Sequence, residues 1–141
     1  VSILADGAVH PQRVVTGGAI TLEQAASIVQ VGLPITADMQ TLPLAAQLDG
    51  SFAQGRPKNI NACWLRVHRA SGIHAGPSFD KLTPYKQRTT EPYGSPPDLI
   101  SDEVKVNVGP QWNSSGQVCV RQTDPLPLTV ASVTIEAVIG G

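Results

Sequence analysis

The stretch "INACWLRVHR", residues 60–69, carries the clearest secondary-structure pattern in the chain. Two sets of side chains alternate along it: an apolar set, Cys63, Leu65 and Val67, and a second set, Trp64, Arg66 and His68. Side chains of a β-strand point alternately to its two faces, so this period of two predicts a strand with one buried and one solvated face. The stretch therefore favours a fold built on β-sheets.

Three later segments show strand patterns of the same kind. In "EVKVNV", residues 103–108, valines alternate with polar residues, and in "GQVCVRQ", residues 116–122, Cys119 lies on the opposite face from the valines. The segment "PLTVASVTIEAVI", residues 127–139, is rich in β-branched residues, which favour strands over helices. Together with frequent turn signals, these segments predict an all-β domain, a β-sandwich or flattened barrel of about seven to nine short strands.

Two regions near the start of the chain carry weaker patterns. Apolar residues on both sides of "TGG", residues 16–18, predict a hairpin. In "TLEQAASIVQV", residues 21–31, Thr21 and Gln24 have the spacing of a helical capping box, whereas three residues near its end are β-branched. This second region is compatible with one short helix or with a short helical turn that leads into a strand.

A long segment without regular periodicity separates the predicted strands in the middle of the chain. It covers residues 76–102, "GPSFDKLTPYKQRTTEPYGSPPDLISD", and is dense in Pro, Ser and Thr. Long irregular loops inside a compact domain are usually functional or form interfaces. We therefore expect one long loop here, with Tyr85 and Tyr93 as candidates for contact with another molecule.

Length and charge limit the classes of partner. The 141 residues match the size of one domain, and 10 basic against 11 acidic residues give a net charge of −1, which attracts neither nucleic acid nor an anionic membrane. No apolar run approaches the roughly 20 residues that span a bilayer, and the chain opens at Val1 without an initiator Met or a leader. We expect a single β-rich domain, residues 1–141, from a longer polypeptide, with no membrane insertion and no sequence-specific nucleic-acid binding.

Residue types that carry out catalysis or bind metals are present, but their spacing fits no known arrangement. The histidines His10, His68 and His74 include one pair that a hairpin would bring together, without a third ligand at a recognisable spacing. Cys63 and Cys119 are too far apart in sequence for a zinc-binding pair or a disulfide framework, and their disulfide state stays open. The chain has no nucleophile elbow and no phosphate-binding loop. We expect no catalytic residue, no metal and no cofactor.

Five segments in combination resemble one protein family. They are "LADGAVHPQRVVTGGAITL", "VGLPITADMQTLPLA", "GRPKNINACWLRV", "ASGIHAGP" and "WNSSGQVCVRQTDPLPLTVASV". The sequence resembles the C-terminal part of the tail tubular or nozzle proteins of short-tailed bacteriophages, also called phage stabilisation proteins. The resemblance covers nearly the whole chain and is strongest over residues 30–68 and 109–135.

The resemblance implies a structural role in the virion. Proteins of this family assemble as a ring of identical copies around the channel through which DNA leaves, and no catalytic residue is implied. We therefore expect a component of a phage tail, made in the cytoplasm of the bacterial host and located in the virion. Its expected partners are further copies of itself and other tail proteins.

The segment "VGLPITADMQTLPL", residues 31–44, is the expected connector between strands. Pro34 and Pro43 cannot donate to a β ladder and push the residues before them into extended geometry. The apolar residues around them either close the core or meet a neighbouring subunit. The candidate interface residues are Met39, Leu42, Leu44, Tyr85 and Tyr93.

An alternative function is a carbohydrate-binding or adhesin module that contacts host surface glycans. Aromatic rings on wet faces or in turns stack on sugar rings. The candidate residues for such a site are Trp64, Tyr93 and Trp112. Only 4% of the chain is aromatic, which is little for a carbohydrate-binding platform.

Overall fold

The computed structural model describes residues 1–48, 51–92 and 95–140, and this part of the chain holds twelve β-strands and no helix. The strands are β1 (Ser2–Ala5), β2 (Ala8–His10), β3 (Val29–Gly32), β4 (Ala37–Gln40), β5 (Gln47–Leu48), β6 (Ser51–Phe52), β7 (Lys58–Val67), β8 (His74–Gly76), β9 (Thr83–Pro84), β10 (Glu103–Val106), β11 (Cys119–Gln122) and β12 (Val130–Ile139). The all-β prediction is confirmed. The strands outnumber the seven to nine expected, because many of the segments between turns form strands of only two to four residues.

Two antiparallel sheets share the main core in a sandwich-like arrangement. The first has the order β10-β7-β12, and the second has the order β4-β11-β8-β9. One buried cluster joins side chains of both sheets, including Leu65 of β7, Val104 of β10 and Val120 of β11. The alternation predicted for residues 60–69 is confirmed, since Cys63, Leu65 and Val67 are buried while Arg66 and His68 are exposed.

A β-bulge in β7 changes which of its residues face the core. Ile60 lies opposite Ala137 and Ala62 lies opposite Glu136, so Asn61 is an extra residue without a partner on β12. Lys58 and Ile60 are buried before the bulge, and Cys63, Leu65 and Val67 are buried after it, while Ala62 is buried where the phase changes. A bulge allows the pairing of a long strand to continue on both sides of the extra residue. It also shifts by one residue which side chains face the core.

Lys58 begins β7 and is the largest fully buried side chain in the described residues. Its ammonium group donates hydrogen bonds to the carbonyl oxygens of Ser114 at 2.7 Å and Arg56 at 3.2 Å. Buried charges are tolerated when hydrogen bonds compensate for the lost water. Lys58 thereby fastens the turn at residues 113–116 to the start of the central strand.

The second sheet requires a close approach of backbone at Gly76. A Cβ atom at this position would lie 1.9 Å from the carbonyl oxygen of Lys81. No side chain fits at that distance, so glycine is needed where β8 meets the start of the long loop. That loop, predicted for residues 76–102, contains the two-residue strand β9 and otherwise irregular structure in its described part.

The N-terminal sheet has the order β2-β1-β3 and pairs only within itself. Asp6 and Gly7 both have positive φ, 48° and 83°, as a two-residue type I′ hairpin turn requires. The turn predicted at residues 16–18 also forms, but Thr16 and Ala19 make a single bridge rather than two strands.

The helix considered for residues 21–31 is not present. Residues 21–28 are irregular, and β3 covers the end of the region. The carboxylate of Asp6 accepts hydrogen bonds from the backbone N–H groups of Ser27 and Ile28, and β3 then pairs with β1. Tertiary pairing of β-branched residues therefore outweighs the capping-box spacing. Without a helix, the described part has none long and apolar enough to cross a membrane.

Candidate functional site

The predicted interface residues have different surroundings. Met39 and Tyr85 are half-buried and pack against the main core, while Leu44 is half-buried and donates its backbone N–H to Ser115. Leu42 is 86% exposed. Tyr93 lies outside the described residues. Of the described four, Leu42 is therefore the one whose side chain is free to meet another subunit.

Leu42 ends a longer surface, here called the apolar segment, that covers residues 28–42. Its exposed aliphatic residues are Ile28, Val29, Val31, Leu33, Ile35 and Leu42. Leu33 is 85% and Ile35 73% exposed, so water contacts most of each side chain. The segment includes β3 and β4, which are both edge strands. Large exposed apolar patches mark interaction sites, so this run of exposed aliphatic side chains along the chain is a candidate for one.

The single charged residue of the apolar segment is neutralised within the chain. Asp38 on β4 receives two hydrogen bonds from the guanidinium of Arg121 on β11, at 2.7 and 2.8 Å. This interaction holds the pKa of Asp38 below its ordinary value, and the Arg121 guanidinium also lies 4.7 Å from the centroid of the Phe79 ring. The pair ties β4 to β11, so its charges are already matched.

The tryptophans of the glycan hypothesis lie far apart. Trp64 is on β7 opposite Thr134, and the ammonium group of Lys105 lies 5.3 Å from the centroid of its ring. The exposed ring of Trp112 lies beside Gly140. Gly140 lies six residue steps after Thr134, which is about 20 Å at strand spacing. The structure does not bring the two rings together into one platform.

The histidines are likewise dispersed. The His10 ring accepts the backbone N–H of Glu23 at 3.0 Å, His68 is exposed beside Ser101, and His74 lies 3.2 Å from the Gly72 carbonyl oxygen. Within residues 1–48, 51–92 and 95–140, no three His, Cys, Asp or Glu side chains are placed to hold a metal ion.

Cys63 and Cys119 are both buried free thiols. Burial raises the pKa of Cys63 to about 11. Burial also raises the pKa of Cys119, and the nearby Asp38 carboxylate adds to this effect. Since the thiolate is the nucleophile, neither thiol is activated for covalent chemistry.

A shallow cavity of about 420 Å³ lies near the N-terminal sheet. It is lined by Arg13, Val14, Thr16, Ala19, Ile20, Thr21, Leu22 and Glu23. Its two charged groups, the Arg13 guanidinium and the Glu23 carboxylate, form an ion pair with each other. The cavity is thus a mostly apolar hollow in which the charged groups neutralise each other.

Residues 31–44 were predicted as a connector between strands, but the structure places the end of β3 and the whole of β4 there. β3 was also not identified as an exposed edge in the sequence analysis. The relevant signal is in the sequence: residues 24–37 contain no charged residue, and "VQVG" within them has the period of two of a strand. Charges on edge strands normally prevent association with other chains. The structure therefore shows what the sequence analysis did not: the uncharged strand β3 lies at the edge of a sheet.

Comparison with known proteins assigns no family. No protein-family model matches the chain, and no curated protein is significantly similar to it. The functional interpretation therefore depends on the surfaces described above and on the resemblance in the sequence.

Proposed function

We propose that this chain is a non-catalytic structural component of a bacteriophage tail, which works by assembling with further copies of itself and with other tail proteins. The observation that carries the proposal is the apolar segment, where Leu33, Ile35 and Leu42 are 73–86% exposed. The resemblance to tail tubular proteins supplies the setting, a ring around the DNA exit channel in the virion.

Burial of the exposed aliphatic side chains of the apolar segment against a partner lowers the free energy relative to their exposure to water. Full burial of one large aliphatic side chain contributes about 1.5–3 kcal/mol. Asp38, the only ionised group among these residues, is already paired with Arg121, so a partner can cover the segment without leaving an unmatched charge. A ring subunit needs such a surface, because each copy must bury part of its neighbour.

The proposal is tested by the assembly of the purified chain. Wild type should form oligomers by size-exclusion chromatography with light scattering, and rings by electron microscopy. Leu42→Asp should raise the concentration needed for assembly at least tenfold. Val14→Asp is the matched control, because Val14 is also 86% exposed but lies outside the apolar segment.

Two results would refute this function. One is a chain that stays monomeric at high concentration and forms no ring by electron microscopy. The other is equal assembly of Leu42→Asp and wild type. Binding to a host surface glycan that is lost in Trp112→Ala would support the carbohydrate-binding alternative instead.

A further inference from the structure

We propose that the free edge of β3 pairs with β3 of a second copy of the chain, in antiparallel orientation about a two-fold axis near Val31. This contact goes beyond the proposed function, because it uses only the β3 part of the apolar segment, whereas the assembly test above uses Leu42, which lies outside β3. A two-fold contact joins copies in pairs, whereas a ring is closed by head-to-tail contacts. Each can therefore be lost while the other remains.

The register of β1 and β3 shows which backbone groups of β3 face outward. Ile28 accepts the backbone N–H of Asp6 at 2.8 Å, and the ladder pairs Gln30 with Leu4. Hydrogen-bonded and non-hydrogen-bonded pairs alternate along an antiparallel ladder, so even-numbered residues of β3 bond to β1. The N–H and C=O groups of Val29 and Val31 point away from β1, and neither has a hydrogen bond to another described residue.

The other sheet edges of the described part carry features that oppose pairing with another chain. β10 carries two charged residues, β9 contains Pro84, β12 has two register shifts, Pro11 directly follows β2, and β5 and β6 have two residues each. β4 is the least opposed of these edges, because its one charged residue, Asp38, is already paired with Arg121. Short length, charge, proline and bulges are the usual means of blocking an edge. β3 has none of these within its four residues.

The contrast between β3 and the other edges indicates which strand pairs with the free edge of β3. Because β3 is the edge with the fewest features that oppose pairing, the complementary strand that this chain offers is β3 itself. Residues 24–37 are uncharged, so two copies can align antiparallel without placing like charges opposite each other. Pro34 holds Leu33 in extended geometry, which lengthens the strand available for pairing.

The exposed apolar area of β3 limits the expected strength of the β3–β3 dimer. Val29 is 40% and Val31 51% exposed, and both lie on the same face of β3 as Leu33. A stable specific interface buries about 800 Å² per partner, which is more than a four-residue strand provides. The pairing therefore belongs to the weak class, and it should be sought at about 0.1–1 mM protein, around the concentrations of weak association.

The test measures hydrogen exchange of single amides by NMR at low and high protein concentration. Exchange of the Val29 and Val31 amides should slow at least fivefold as the concentration rises. The Gln30 amide is an internal control, because it bonds to β1 and should be protected at both concentrations. Protection of Val29 and Val31 that does not change with concentration would overturn the proposal.

Three variants separate backbone pairing from side-chain packing. Val31→Pro removes the outward N–H, which an edge strand tolerates, and should abolish the dimer. Val31→Thr keeps the N–H and the branched shape, and it should dimerise within about twofold of wild type. Val31→Lys keeps the N–H but places like charges close together, so it should weaken the dimer at least tenfold even if Val31→Pro fails to fold. Dimerisation of Val31→Lys equal to wild type would contradict the β3 contact, whatever the state of the ring.

Discussion

Asp6 carries much of the local structure of the N-terminal sheet. It is the first of the two central residues of a type I′ turn, and its carboxylate accepts hydrogen bonds from the backbone N–H groups of Ser27 and Ile28 at 2.7–3.1 Å. The hydrogen bonds from Ser27 contribute most and the bond from Ile28 contributes next, and together they hold the pKa of Asp6 below its ordinary value of 3.8. One side chain thus both turns the chain and anchors the start of β3.

The shifted pKa of Asp6 makes the N-terminal sheet sensitive to acid. A carboxyl whose folded pKa is depressed stabilises the fold above its unfolded pKa, and this contribution is lost as the pH falls through the folded value. Asp6→Asn keeps the left-handed conformation and an oxygen acceptor but loses the charge. We expect wild type to be more stable than Asp6→Asn at pH 7, and the difference to shrink below pH 3.8.

The measurement is NMR-detected unfolding of the β1 and β3 amides in both proteins, together with titration of the Asp6 carboxyl. Asp38 and Glu91 also have depressed pKa values, so the comparison between the two proteins is needed to isolate Asp6. A difference that stays constant from pH 7 to pH 2 would show that the charge of Asp6 has no stabilising role.

At the scale of single elements, β4 has two different faces. Met39 points to the core opposite Val120, whereas its neighbour Asp38 reaches Arg121 on the outer side. We expect Met39→Asp to lower the free energy of unfolding by about 2 kcal/mol or more, because it places an unpaired carboxylate against the core. Met39→Leu should cost less than about 1.5 kcal/mol.

Denaturant unfolding followed by circular dichroism distinguishes a core residue from an interface residue. Met39→Asp should unfold more easily than wild type, while Leu42→Asp should keep the wild-type midpoint and lose assembly. If Met39→Asp kept the wild-type midpoint and also failed to assemble, Met39 would belong to the interface. The two variants carry the same new charge three residues apart.

The strands with alternating side chains were predictable from the sequence because local spacing determines which face each residue joins. This holds for Cys63, Leu65 and Val67 of β7, for Val104 and Val106 of β10, and for Val133 and Ile135 of β12. The bulge at Asn61 was not predictable, since it depends on the register with β12. The exposure of β3 was not predictable either, because a valine-rich strand has the same sequence pattern at a sheet edge as in a core.

At the scale of the whole molecule, the buried apolar residues are unevenly distributed. Among residues 1–47, for which burial is described, Ile3 is the only buried apolar residue, whereas the buried residues of the main core come from β7 onward. The N-terminal sheet pairs only with itself, and it approaches the long loop where Gly7 faces Pro96. The two parts of the chain therefore differ in what holds them together.

This difference predicts two levels of stability within one chain. Regions with few buried apolar contacts open locally at lower free energy than the core. Native-state hydrogen exchange should therefore show β1 amides exchanging faster than β7 amides, although both are central strands of their sheets. Ile3→Ala should speed exchange in β1 and β3 and leave β7 unchanged. Leu65→Ala should lower the free energy of global unfolding by about 2–5 kcal/mol and speed exchange in β7. Equal protection of β1 and β7, with both falling together in Ile3→Ala, would show that the chain unfolds as a single cooperative unit.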